Sequence, residues 1–278
     1  MKRLLARGFC LSLSVFLFGV IALLSVDVSA QQVAILERTP DAVDYYNRGC
    51  ACAETDFDCR IENFSRAVEL DPALTEAYNN RGLAFFAKNE TANALMDFNR
   101  TVELSPNFAK GFYNRAVLYA RQNDFERSLK DFTRAAELSP SLTNAYVGRG
   151  SVYLKMKNFD AALKDFDRAI ALEPLYAEIY YNRGLVYFYK ADYERAATDF
   201  SNVLRLKPQF TAAYLNRGIC YDKLEKAAQA IADYTRFIEL APEDYRGYSN
   251  RANVYTKIGE TAKAEADTRR VSQLKRTS

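Results

Sequence analysis

Residues 75–108 read TEAYNNRGLAFFAKNETANALMDFNRTVELSPNF. Tyr78, Gly82 and Phe85 fall at i, i+4 and i+7, the spacing of one face of a helix. Asn89-Glu90 interrupts that pattern with turn-forming residues. Ala94, Phe98 and Thr101 then mark one face of a second helix. Pro106 ends it, because proline lacks the N–H that a helix interior needs. Each helix is predicted to run about 14 residues, roughly 20 Å. One such pair cannot bury its apolar face alone, but a stack of pairs can.

The rest of the chain supplies the stack. An Asn-Arg-Gly-like triplet recurs, and its arginines fall at Arg48, Arg81, Arg115, Arg149, Arg183, Arg217 and Arg251. Pro72, Pro106, Pro140, Pro174, Pro208 and Pro242 keep the same beat. A fixed period of this length marks a repeat architecture. The predicted units are residues 42–74, 75–108, 109–142, 143–176, 177–210, 211–244 and 245–278. Small residues, Gly82 with Ala94 and Gly184 with Ala196 among them, are predicted to sit at equal heights on antiparallel helices. Aromatics such as Tyr180, Tyr187 and Phe200 would fill the wider levels.

A 34-residue unit running aromatic, small, aromatic, small, aromatic, proline resembles the tetratricopeptide repeat. The resemblance spans residues 42–278. It implies an all-α, right-handed superhelical solenoid of seven helix–turn–helix units. It also implies a concave groove lined by first helices that takes a peptide or partner protein, without catalysis. Arginine stands where the family more often has leucine. Asp97, Asp131, Asp165, Asp199, Asp233 and Asp267 recur on the second helices, so an Arg–Asp pair across each seam is expected. Unit 1 departs from the pattern, with Cys52 in place of an aromatic and Asn63 in place of the aspartate. Unit 7 departs too, with Thr268 in place of an aromatic. Both read as caps, whose outer faces meet water.

The first thirty residues read differently. Lys2, Arg3 and Arg7 precede an apolar run from Phe9 to Val26, and Val28-Ser29-Ala30 is a small-residue cleavage pattern. Residues 1–30 are read as a signal peptide, with an uncleaved anchor as the alternative, and residues 31–41 as a short linker. Either reading places the repeats outside the cytoplasm, periplasmic or secreted. No second stretch is long enough to span a bilayer. Without Lys2, Arg3, Arg7 and Asp27, the 38 basic and 35 acidic residues become 35 and 34. So even a balance argues against nucleic acid, which is held by clustered cations. The chain has no histidine. That removes the commonest general base and metal ligand, and no phosphate loop or nucleophile motif is present. No cofactor, metal or catalytic residue is expected.

Four sets of residues are candidates for function. Asn47, Asn80, Asn114, Asn182, Asn216 and Asn250 share one position on the first helices, broken by Gly148. An amide offers both donor and acceptor, and similar asparagine ladders occur in some sugar-transferring members of the family. Two readings stand: a ladder that grips an extended peptide backbone, or a tie between neighbouring first helices. Tyr46, Phe86, Tyr113, Tyr181, Phe188 and Tyr189 face away from the helix-pair seam, and Tyr181, Phe188 and Tyr189 form the candidate apolar pocket. Packing between first helices is the alternative. Lys110, Lys155, Lys223, Arg246 and Lys257 add charge near the groove. The clamp that other family members use for acidic chaperone tails is not reproduced, since no unit has lysine three residues before its glycine.

The cysteines complete the set. Helical-wheel positions put Cys52 and Cys59 on one side of the first helix pair and Cys50 on the other, so a Cys52–Cys59 disulfide is expected over free thiols. Asn63-Phe64-Ser65, Asn89-Glu90-Thr91 and Asn99-Arg100-Thr101 match glycosylation acceptors. The leading functional reading is an interaction scaffold. Its alternatives are a subunit of an envelope secretion or export assembly docked by its convex face, and a glycan-binding module.

Overall fold

The computed structural model describes residues 39–277. The candidate signal peptide and most of the linker therefore lie outside the described residues. Fourteen helices follow one another, and no strand occurs among the described residues. The first of each pair are α1 (Ala42–Ala51), α3 (Thr75–Ala87), α5 (Ala109–Arg121), α7 (Thr143–Lys155), α9 (Ala177–Tyr189), α11 (Thr211–Lys223) and α13 (Tyr245–Lys257). The second are α2 (Phe57–Leu70), α4 (Thr91–Leu104), α6 (Phe125–Leu138), α8 (Phe159–Leu172), α10 (Tyr193–Leu206), α12 (Ala227–Leu240) and α14 (Thr261–Thr277). The fold is an all-α solenoid of helix–turn–helix units. Among the described residues, no helix is long and apolar enough to cross a membrane.

Local chemistry sets the boundaries. Second helices open on polar caps: Asp124, Asn158 and Asp192 accept backbone N–H bonds from Arg127, Ala161 and Arg195. First helices mostly open on an apolar residue, such as Leu142, Tyr176 or Phe210, with no side-chain cap. The turn within a unit closes on a left-handed residue: Asn89, Asn123, Lys157, Ala191, Glu225 and Gly259 have φ of 63°, 61°, 59°, 59°, 59° and 79°. Glycine occupies this position in one unit of those six. The first six units each end at a proline, and Tyr180 and Tyr214 donate their hydroxyls to the carbonyls of Pro174 and Pro208 at 3.0 and 3.2 Å.

Phe64, Phe98, Phe132, Phe166, Phe200 and Tyr234 form the spine of the core, each 1% exposed or less. The glycines admit these rings. A Cβ on Gly82, Gly150, Gly184 or Gly218 would lie 2.7–2.9 Å from a ring carbon of Phe98, Phe166, Phe200 or Tyr234. The expected pairing of Gly82 with Ala94 is thus corrected. The glycine faces the aromatic one turn beyond the alanine, because the ring is what needs the room. In unit 3 the glycine is replaced by Ala116, and the Phe132 ring lies instead against Gly148 of the next unit.

Successive first helices pack on one another, as α3 on α5, α5 on α7 and α7 on α9, while second helices pack mainly on first helices. The stack therefore curves with its first helices inside, and these line the concave side. The ends differ from the middle. Helix α1 has 10 residues where the other first helices have 13, and α14 has 17 where the other second helices have 14.

Candidate functional site

The arginine column is fixed in the seams. Arg183 donates from Nε and Nη2 to both carboxylate oxygens of Asp199 at 2.8 and 2.7 Å. The same two-pronged bond joins Arg81 to Asp97, Arg115 to Asp131, Arg149 to Asp165, Arg217 to Asp233 and Arg251 to Asp267. The third nitrogen reaches back to the preceding unit. Nη1 of Arg81, Arg115, Arg149, Arg183, Arg217 and Arg251 donates to Ser65, Asn99, Thr133, Asp167, Ser201 and Thr235. Each guanidinium thus ties three helices. Tyr180 and Tyr187 flank that of Arg183, both at 5.8 Å. The paired carboxylates raise the pKa of Arg183, so it stays charged. Sequence reading found the Arg–Asp pair but missed the third partner. Its signal was present: a short polar residue two places after Asn63 and after every aspartate of the column except the last, Asp267.

The asparagine column divides. Asn80 donates to the Tyr46 hydroxyl at 3.2 Å, Asn114 to Asn79 at 2.8 Å and Asn216 to the Tyr181 hydroxyl at 3.0 Å. Each bond runs to the preceding first helix, 34 or 35 residues back. The residue 35 back from Asn182 is Val147, and that from Asn250 is Leu215. Neither has a polar side chain, and Asn182 and Asn250 have no side-chain hydrogen bond among the described residues. Asn47 is exposed and likewise unbonded.

The unit 5 aromatics also separate. Tyr181 packs with Phe200 and Phe210, at ring centroids 5.7 and 4.9 Å apart. Phe188 packs with Tyr193 at 5.7 Å, and Tyr189, 61% exposed, lies nearly parallel to Phe159 at 6.3 Å. The three are divided between two sets of contacts rather than gathered in one pocket, because Phe188 and Tyr189 lie about two helical turns beyond Tyr181.

On the concave side, a cavity of about 420 Å³ is lined by Tyr46, Asn79, Asn80, Phe108, Lys110 and Leu142, among others. Burial and a bond to the Cys50 thiol push the Tyr46 phenol up to about 12. Much of the nearby charge is spent. Lys257 pairs with Asp222 and Arg246 with Asp244, both at 2.6 Å, and Lys190 pairs with Asp160 at 2.6 Å. Lys110, Lys155 and Lys223 have no carboxylate partner among the described residues.

Cys52 and Cys59 are joined, with Cα atoms 6.0 Å apart, while Cys50 is exposed and Cys220 buried. No group of three or more acids and cysteines that could hold a metal occurs among the described residues. Of the three glycosylation tripeptides, only Asn89 is exposed. Asn99 accepts from Arg115 with Thr101 buried beside it, and Asn63 donates to the Cys59 carbonyl.

Family models for the tetratricopeptide repeat match residues 75–108, 109–142 and 181–244, and one for the TPR repeat matches 150–190. The chain belongs to the tetratricopeptide repeat family. The sequence matches none of the curated proteins. Among solved structures, a tetratricopeptide repeat protein from Parabacteroides merdae is 18% identical, with a TM-score of 0.62, covering 84% of this chain and 93% of that one. PilF of Pseudomonas aeruginosa is 18% identical, with a TM-score of 0.63, covering 75% and 94%. YrrB, described as a TPR protein with an unusual peptide-binding site, is 21% identical, with a TM-score of 0.58, covering 67% and 96%. At these identities the likeness is one of fold. The fold is one that serves protein–protein interaction.

Proposed function

We propose that this tetratricopeptide repeat protein is a non-enzymatic scaffold that holds an extended peptide, or an extended segment of a partner protein, in its concave groove outside the cytoplasm. The observation that carries the reading is the pair of unbonded amides, Asn182 and Asn250, on first helices where Asn216 between them is tied to Tyr181. An amide with both functions free can accept a peptide N–H and donate to a peptide C=O, whatever the peptide's side chains. The seam arginines cannot compete for that role, since their bonds are made within the fold. The leader-like first thirty residues support export, and the Cys52–Cys59 bond suits an oxidising compartment. The near-even charge of the repeats and the pairing of Arg246 and Lys257 favour a protein ligand over nucleic acid.

The test begins with selection of binders to the whole protein from a random dodecapeptide library. The selected peptides are then measured on Asn182→Ala/Asn250→Ala. Groove recognition weakens them; unchanged affinity refutes it.

A second reading rests on the outer face. A cleft of about 680 Å³ lies beside Phe112, Arg115, Leu129 and Arg134. There Arg134 pairs with Glu137, whereas Arg168 and Arg270 stack over Tyr146 and Tyr248. An assembly subunit docked through this cleft would lose binding on Leu129→Glu and keep it in the asparagine variant.

A further inference from the structure

Among the described residues, unit 1 lacks the Arg–Asp clamp that holds the other first helices. Arg48 meets no carboxylate among the described residues; it lies over the Tyr45 ring at 5.0 Å. Asn63, in the aspartate's place, donates instead to the Cys59 carbonyl at 2.9 Å. Helix α1 is also the shortest of the fourteen. A helix of 10 residues is marginal without tertiary support.

The disulfide stands where other units have a weaker contact. Cys52 occupies the position of Tyr119, Tyr187 and Tyr255, and Cys59 that of Arg127, Arg195 and Lys263. In those units the cation lies over the ring, at 4.6, 4.6 and 5.6 Å. Such a pair at the surface is a weak contact, and it stands beside a full Arg–Asp clamp. In unit 1 the clamp is missing, and the covalent bond takes the register of the stack.

Helix α1 carries one wall of the groove. Tyr46 accepts the Asn80 amide and lines the 420 Å³ cavity with Asn79 and Lys110. We propose that the Cys52–Cys59 disulfide is a redox control on this end of the groove: oxidised, it holds α1 and the Tyr46 wall in place; reduced, it releases them. Both cysteines are only half-buried, within reach of a reductant. A dithiol donor attacks one sulfur and forms a mixed disulfide. Its second thiol then displaces the protein sulfur. Two electrons pass to the protein pair, which leaves as two thiols, and the donor leaves as its own disulfide. That the released wall belongs to a ligand site rests on the proposed groove function; the release itself does not.

Hydrogen exchange of the full repeat chain, before and after dithiothreitol, tests the release without any ligand. Reduction speeds exchange in residues 42–51 and at 79–82 by about tenfold or more, leaves α13 unchanged, and is reversed on reoxidation. Cys52→Ser/Cys59→Ser reproduces the reduced pattern in either buffer. Equal α1 exchange in oxidised and reduced wild-type protein overturns the control, as does a change spread evenly to α13. Unchanged peptide affinity in the groove experiment above would leave this result standing, and the reverse also holds.

Discussion

The Phe132 ring lies where a Cβ on Gly148 would be. Its own unit carries Ala116 where Phe98, Phe166, Phe200 and Tyr234 each meet a glycine. The gap in the asparagine column at unit 4 therefore has a packing cause. Gly148→Asn should lower stability by about 2 kcal/mol, the usual cost of overpacking. Adding Ala116→Gly should recover part of the loss, because the ring gains the space it has in neighbouring units. Urea midpoints of the three variants check this. Equal midpoints for single and double variants would show that the two positions do not share the ring.

The clamp of Arg183 on Asp199 makes an asymmetric expectation. Asp199 is buried, so Asp199→Asn leaves the half-buried guanidinium with the exposed Asp167 as its one counter-charge, at a cost of about 3 kcal/mol. Arg183→Leu/Asp199→Leu removes both charges and should cost much less, since an apolar pair needs no compensation. Thermal unfolding of both variants separates a pair kept for stability from one whose loss is mainly the stranding of a charge.

Ala191 closes the turn of unit 5 at φ 59°. A residue with a Cβ is strained there by about 1 kcal/mol, and glycine is not. Ala191→Gly should therefore raise the urea midpoint, against the usual direction of a helix-terminal glycine substitution. A lower midpoint would mean that the turn draws more from its side chain than its backbone requires.

The thiols should differ in reactivity. Burial pushes the Cys220 thiol up to about 12, so it stays protonated and shielded at pH 8. Cys50 is exposed. Iodoacetamide on native, oxidised protein should label Cys50 alone among the four repeat cysteines, with Cys220 reacting only after denaturation. Peptide mass mapping reads the pattern.

The period and the apolar faces carried the architecture into the sequence. Arg and Asp recur at fixed places, and a bidentate pair follows from their chemistry. The groove was less legible, for a physical reason. The asparagine bonds run to a residue 34 or 35 places earlier, across two helices. Asn216 bonds Tyr181, while Asn250, with Asn216 and Leu215 at those places, bonds neither. Reading the column down one position missed that cross-term. Phe188 and Tyr189 share a helix with Tyr181, but two turns of axial rise carry them to the contacts with Tyr193 and Phe159. The Gly–Ala levels misplaced the ring for a similar reason: a small residue makes room for the bulk packed against it, not for another small residue.

The groove claim rests on two amides, and they can be removed without touching a structural bond. The direct measurement is the affinity of a library-selected peptide for wild-type protein and for Asn182→Ala/Asn250→Ala, with melting temperature recorded beside it. Two lost hydrogen bonds of about 1 kcal/mol each should weaken the peptide at least tenfold while the melting temperature stays within about 1 °C. An unchanged affinity in the folded double variant would contradict the account.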